Sequence, residues 1–290
     1  MIRRNVPNLG GSAITLGSLY DGSKDKLMTS LNLWSPQVVA DNILSRHVGY
    51  SNTEFRTDED ILNRLDVMGL DAELQLSFMG GLVTVSGGAE YLHDEDHKEN
   101  TVKSTLIYKA TTRSEQMPYG VPLTYPGVCK HVTSKASSDG ISPTHVVTEI
   151  VYGLNGYMVF KKHYLTNTQK KKISGSLDVV VKAIPQIQIE GNASFNLTED
   201  EKEVSRTMEF NFYGDTLLDH PPSTFEDAIE VYKKLPGLAE TSDKVVAYTL
   251  TPITLYCDEQ ETILNSINQQ NVELVSTINY IQSHRCCPQK

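Results

Sequence analysis

The sequence predicts an α+β protein built around an antiparallel sheet. Three features predict it: long runs rich in β-branched and aromatic residues, long insertions between those runs, and helical periodicity towards the C-terminal end. Residues 1–56 mix short apolar runs with glycine, as in Leu9-Gly10-Gly11 and Leu16-Gly17. Runs 104–113 and 144–160 predict two long strands. A third is predicted over 208–213, with Met208, Phe210 and Phe212 on one face. Ser223-Thr224 ahead of Phe225-Glu226-Asp227 predicts a capped helix that reaches about Leu235 and is stopped by Pro236. Residues 245–256 predict a last strand. In 260–283, Ile263, Ile267, Leu274, Ile278 and Ile281 fall at spacings of three, four or seven, which predicts an amphipathic terminal helix. There is no repeat of solenoid period and no low-complexity tract.

The chain has 290 residues, which suits one large domain or one domain with a small appendage. Apolar residues make up 39%, so a packed core is expected and global disorder is not. A formal net charge of −10 argues against nucleic acid as a partner, because phosphate neutralisation needs a basic footprint. It also supplies no general attraction to anionic headgroups. The basic clusters Lys170-Lys171-Lys172 and Lys161-Lys162 read as solvated turns. Met1-Ile2-Arg3-Arg4-Asn5 is followed by Val-Pro-Asn rather than an apolar stretch, so the expectation is export without a classical signal, or retention in the cytoplasm. No run of about 20 apolar residues predicts a transmembrane helix. Four cysteines, Cys129, Cys257, Cys286 and Cys287, are too few and too unevenly spaced for a disulfide framework. The adjacent pair Cys286 and Cys287 reads either as a cross-link between two chains or as free thiols. The last four residues lack the aliphatic pair of a prenylation signal.

Catalytic motifs are sparse. His93 and His97 are spaced for one helix face, but the stretch is not His-Glu-x-x-His and reads as an acidic loop. Cys129-Lys130-His131 places a thiol beside an imidazole in sequence, which is weak grounds for a nucleophile. No phosphate loop, dinucleotide fingerprint or nucleophile elbow is present. The expectation is no enzyme, no cofactor and no metal. Asn192-Ala-Ser and Asn196-Leu-Thr are glycosylation sequons, expected to be unmodified.

The two insertions carry an unusual double pattern. In the first, Met68, Leu70, Ala72, Leu74, Leu76 and Phe78 alternate with Gly69, Asp71, Glu73, Gln75 and Ser77. After a turn at Met79-Gly80-Gly81-Leu82, the return arm sets Val83, Val85, Gly87, Ala89 and Tyr91 against Thr84, Ser86, Gly88 and Glu90. In the second, Ile173, Gly175, Leu177, Val179, Val181 and Ala183 alternate with Ser174, Ser176, Asp178, Val180 and Lys182. Following Ile184-Pro185-Gln186, the alternation resumes with Ile187, Ile189, Gly191, Ala193, Phe195 and Leu197. Arms of about eleven residues span ~36 Å, or ~27 Å of height at a ~40° tilt, which covers the apolar band of a transmembrane barrel. Half-buried strands of a soluble sheet are the competing reading of the alternation. The second insertion also fits a helix, because Ile173, Leu177, Val180, Val181 and Ile184 form one stripe. Ile61, Leu62 and Leu65 begin a similar stripe ahead of the first. Such a sequence suits helices in water and hairpins in lipid. Four strands cannot close a barrel around a channel, so that reading requires an oligomer.

Several stretches resemble the stonefish and scorpionfish (stonustoxin/verrucotoxin-like) cytolysin family, a branch of the membrane-attack-complex/perforin and cholesterol-dependent cytolysin (MACPF/CDC) superfamily. They include Leu16-Gly17-Ser18-Leu19-Tyr20-Asp21, Ser77-Phe78-Met79-Gly80-Gly81-Leu82-Val83, Tyr108-Lys109-Ala110-Thr111-Thr112, Ile189-Glu190-Gly191-Asn192-Ala193-Ser194 and Thr224-Phe225-Glu226-Asp227-Ala228. Thr144-His145 is similar to the superfamily's Gly-Thr-His signature with Pro143 in place of Gly, and Gly153 and Gly156 stand apart where a Gly-Gly hinge is usual. The resemblance covers about residues 8–257. It implies a pore-forming domain over 1–257 followed by a helix and tail over 258–290. It also implies a bent sheet flanked by two helical clusters that unfurl into transmembrane hairpins after ring assembly on a lipid membrane. Family toxins continue into further domains and work as paired subunits, so a homo-oligomer or a hetero-oligomer with a related subunit is expected. The alternative is a non-lytic partner or inhibitor that keeps the fold.

Overall fold

The structure is a computed structural model that describes residues 1–5, 14–22, 24, 26–57, 61–70, 75, 89–92, 100–125, 129, 143–190 and 197–256. Among the described residues, eight strands form one open antiparallel sheet: β1 (Ile2–Asn5), β2 (Ser18–Asp21), β3 (Lys26–Asn32), β4 (Leu44–Thr57), β5 (Thr101–Gln116), β6 (His145–His163), β7 (Glu209–Gly214) and β8 (Lys244–Pro252). The helices among the described residues include α1 (Pro36–Asn42), α2 (Ile61–Val67), α3 (Ala89–Leu92), α4 (Asn167–Glu190), α5 (Glu199–Thr207) and α6 (Phe225–Glu240). The predicted α+β class and antiparallel sheet match this arrangement.

β6 organises the sheet. On one side it pairs with β5 along nearly its whole length, from Gln116 opposite Glu149 to Thr101 opposite His163. On the other side its neighbour changes: residues 145–153 pair with β8 and residues 156–161 pair with β7. Gly153 and Gly156 bracket that exchange. The β5–β6 register shifts between Thr111 and Arg113, and the β6–β8 register between Val151 and Tyr152. Both irregularities fall beside Gly153, where a bulge bends a strand locally. A Cβ on Gly153 would lie 1.9 Å from the Ala110 carbonyl oxygen, so only glycine fits there.

Helices cover both faces, and the pleat sorts them. Leu106, Tyr108, Leu154, Met158, Phe160 and Phe212 point to one face, where they share a core with α4, α5 and α6. Ile107, Tyr157, Val159 and Tyr213 point to the other, where they meet Leu65, Val67, Leu70, Tyr91 and Leu92 of the first insertion. A third core joins Leu19, Trp34, Val146, Tyr248 and Ile253 around the β2–β3 hairpin and the far end of β6.

Two predicted boundaries are corrected. α6 does not stop at Pro236 but continues to Glu240, because Leu235 and Ala239 on either side of the proline are both buried. That packing offsets the one lost backbone hydrogen bond and the ring clash. The last strand ends at Pro252, and Ile253–Tyr256 form a 3₁₀ turn instead. The predicted helix over 260–283 lies outside the described residues. Gly153→Ala is expected to destabilise the fold by about 1–3 kcal/mol in urea unfolding. Gly156→Ala, whose Cβ would meet side-chain atoms alone, the Phe212 ring at 3.3 Å and Leu154 at 3.8 Å, is expected to cost less.

Candidate functional site: two insertions at one end of the sheet

Two insertions interrupt four neighbouring strands at the same edge. β4 ends at Thr57 and β5 begins at Thr101, while β6 ends at His163 and β7 begins at Glu209. Thr57 opposes Ser104, Thr101 opposes His163, and Lys161 opposes Glu209, so the four strand ends stand side by side. Each insertion occupies the place where an antiparallel pair would have its hairpin turn.

The second insertion is helical. Thr166 and Gln169 cap the start of α4: Thr166 Oγ1 accepts from the Gln169 amide at 3.3 Å, and Gln169 Oε1 accepts from the Thr166 amide at 3.2 Å. The segment is otherwise a poor helix former, with Gly175, the run Val179-Val180-Val181, and Pro185 inside the helix. Packing compensates. Leu177, Val180, Val181 and Ile184 are fully buried among Leu106, Met158, Phe160, Ala228 and Leu235. Each such burial stabilises by about 1.5–3 kcal/mol. Val180, which breaks the strand alternation, is thus explained by the helical stripe.

A polar clasp adds to this packing. Asp178 Oδ1 accepts from Thr57 Oγ1 at 2.9 Å and from Ser104 Oγ at 3.2 Å. Thr57 and Ser104 are cross-strand partners at the root of the first insertion. One carboxylate of the second insertion therefore holds the base of the first. The exposed Lys172–Asp200 pair at 2.8 Å joins α4 to α5 and contributes little, because solvent screens it.

The first insertion packs on the opposite face. Tyr91 stacks on Tyr157, with centroids 4.6 Å apart and planes 10° from parallel. The Arg64 guanidinium lies 5.4 Å from the Tyr91 ring and donates to the Tyr91 carbonyl at 3.0 Å. The Lys109 ammonium donates to the Val67 carbonyl, which closes the end of α2. Burial pushes Lys109 below the usual lysine range, only partly opposed by Glu54. Burial, with Asp215 nearby, pushes the Tyr157 phenol well above its ordinary value.

The predicted site residues distribute as follows. Met68, Leu70, Tyr91, Leu177 and Val181 are buried, Ile173 and Leu197 are half-buried, and Val179 is 44% exposed. Ile187 and Ile189 fall within α4. Leu74, Leu76, Phe78, Val83, Val85, Phe195 and the Gly80-Gly81 turn lie outside the described residues. Thr144 and His145 stand at the opposite end of β6 from the insertions. Thr144 Oγ1 accepts the Gly22 amide at 2.9 Å and lies 2.8 Å from His145 Nδ1, and the Thr144 amide donates to the Tyr20 carbonyl. This pair knits the β2–β3 hairpin to β6.

Sequence reasoning missed the clasp, because β4, whose Thr57 stands opposite Ser104, was not predicted. It also missed two helix starts whose signals were present, Thr166-x-x-Gln169 and the capping box Thr198-x-x-Glu201. Cys129, weighed as a thiol nucleophile, is disulfide-bonded and so carries no free thiolate. Among the described residues, no group of three or more His, Cys, Asp or Glu is placed to hold a metal ion, and His93 and His97 lie outside them. Among the described residues, no helix is long and apolar enough to cross a membrane. Asp178→Ala is expected to raise amide hydrogen exchange across 167–190 by about tenfold, the effect of losing roughly 1.5 kcal/mol of charged hydrogen bonding. β5 and β6 should stay protected.

Comparison with known proteins places this geometry. No protein-family model matches the chain. Neoverrucotoxin subunit beta of Synanceia verrucosa is 34% identical over 255 residues, covering 88% of this chain and 36% of that protein. Cytolytic toxin-alpha of Scorpaena plumieri is 34% identical over 271 residues, covering 92% and 38%. The stonustoxin structure aligns with a TM-score of 0.61 at 27% identity, covering 87% of this chain and 32% of that one. The chain therefore spans little more than a third of the length of the curated relatives it matches. Over about nine-tenths of its own length, this chain is homologous to a stretch of the stonefish and scorpionfish cytolysin subunits.

Proposed function

We propose that the chain is a pore-forming module that assembles edge to edge on a lipid membrane and inserts two β-hairpins per subunit into a shared barrel. One observation carries this reading: both insertions leave the same end of four adjacent antiparallel strands. If they extend, each prolongs an existing pair, β4–β5 or β6–β7, and every new backbone group finds a partner except at the outer edges. β4 is an exposed edge strand of 14 residues, and a strand edge is a template for a neighbouring chain. The relatives are named as cytolytic toxins and toxin subunits, which supports the same activity here.

In this reading the lipid-facing rows are 68–78 at even positions and 83–91, 173–183 and 187–197 at odd positions. Gly80-Gly81 forms the tip of the first hairpin, and the stretch around Pro185 forms the tip of the second. Gly153 and Gly156 serve as the hinge at which β6 straightens. Residues 1–257 form the pore-forming domain and 258–290 an appended helix and tail. The chain matches alpha and beta subunits about equally, at 34% identity to each, so the neighbour in the ring is either a second copy or a related subunit. Secretion and delivery to a target membrane complete the proposal, and no catalytic step is required of any residue.

Dye release from liposomes is expected from the chain alone or with a related subunit, and absence of release in both arms contradicts the reading. A Ser104→Cys/Asp178→Cys pair joins positions whose side chains touch at 3.2 Å. When oxidised it should abolish release, and reduction should restore it relative to the unmodified chain under the same reductant. Asp71, Glu73, Glu90, Asp178 and Glu190 outnumber Lys182 on the lumen rows, so reversal potentials in planar bilayers should show mild cation preference.

A further inference from the structure

We propose that the four arms leave β4, β5, β6 and β7 without a register slip. The sheet face now covered by α2 and α3 then becomes continuous with the acyl-chain-contacting wall of the barrel. The face under α4, α5 and α6 becomes continuous with its lumen. This inference rests on the pore-forming reading and assigns the two faces that the reading leaves open.

The registers carry it. Directly opposed residues of an antiparallel sheet share a face. Phe55 opposes Leu106, Leu106 opposes Met158, and Met158 opposes Phe212. All four belong to the core under α4–α6. On the other face, under α2 and α3, lie Ile107, Tyr157, Val159 and Tyr213. Residues on that second face are therefore even-numbered in β4 and odd-numbered in β5, β6 and β7. Alternation continued outward from each strand end places on it even positions 68–78 and odd positions 83–91, 173–183 and 187–197. These are the apolar rows of all four arms. The rows come from the sequence of the insertions, whereas the parities come from pairing in the sheet, and the two sets agree in every strand. One extra residue in any arm would send its apolar row to the opposite face.

The exposure of α4 supports the same assignment. Val179 is 44% exposed while its neighbour Val180 is fully buried. In the extended arm the two exchange environments: Val179 turns to acyl chains and Val180 to the aqueous side. Leu177 and Val181 serve both states, buried under the helix and lipid-facing in the hairpin.

The assignment extends into the sheet, where it can be tested with two lysines. Lys162 opposes Val102 on the α4–α6 face, and Lys103 opposes Lys161 on the other. In planar bilayers, Lys162→Glu should raise the cation-to-anion permeability ratio roughly twofold or more, and Lys103→Glu should leave it unchanged. A second pair covers the case in which a charge reversal prevents folding. Val179 and Lys182 are both exposed on α4, so Val179→Trp and Lys182→Trp should each be tolerated in the soluble protein. On leaking liposomes, brominated acyl chains should quench the Val179→Trp protein and aqueous iodide the Lys182→Trp protein. Leakage with the reverse quenching, or with a shift from Lys103→Glu and none from Lys162→Glu, overturns the face assignment and leaves pore formation standing. No leakage from the unmodified chain, alone or with a related subunit, removes the pore-forming reading itself and this inference with it.

Discussion

Backbone hydrogen bonding constrains what the two insertions can become. In water a peptide group without a protein partner is solvated, but in hydrocarbon it costs several kcal/mol. A segment that enters lipid must therefore satisfy its backbone either as a helix or as a strand with neighbours on both sides. α4 is too polar along its Lys170–Lys172 and Asp178 positions to cross as a helix. The sheet offers the other solution, because β4, β5, β6 and β7 already lie in order and end together. Extension of the insertions adds pairs to ladders that exist, and only the outermost edges need a second chain. In the proposed pore, the need for further subunits follows from the same constraint.

In the structure, packing rather than local preference holds the insertions against the sheet. α4 contains a glycine, three consecutive valines and a proline, a composition that a helix tolerates poorly without tertiary support. Its support is the burial of Leu177, Val180, Val181 and Ile184 against the sheet and α6. The features that weaken it as a helix suit it as a hairpin, with β-branched residues in the arms and the proline at the tip. The Asp178 clasp links the two insertions, because the carboxylate of one is satisfied by hydroxyls at the root of the other. Release of either insertion thus perturbs both, though they rest on opposite faces of the sheet.

Much of the fold was legible in the sequence where one face of an element is buried. β5, β6 and β7 announced themselves through β-branched and aromatic runs, and the start of α6 through Thr224 and Asp227. The double period of the second insertion was legible too, and Val180 marked which period rules in water. β4 was not legible, because its residues are exposed over 44–51 and only half-buried over 52–55, so this edge strand carries no clear alternation. The continuation of α6 past Pro236 depends on burial that no local pattern reports. The sharing of faces among the four arms could not be read from any one segment. It needs the register of each pair, which arises only when strands distant in sequence meet.

The proposed pore requires 167–190, helix in the structure, to become strand on assembly. Amide-I infrared spectra of the protein on liposomes, recorded before and after leakage with carbonyl-13C valine in place of ordinary valine, read this directly, because Val179, Val180 and Val181 supply a cluster of labels in α4. The account predicts that part of the labelled signal moves from the helical to the strand position as leakage proceeds. Leakage with the labelled helical signal unchanged would contradict it.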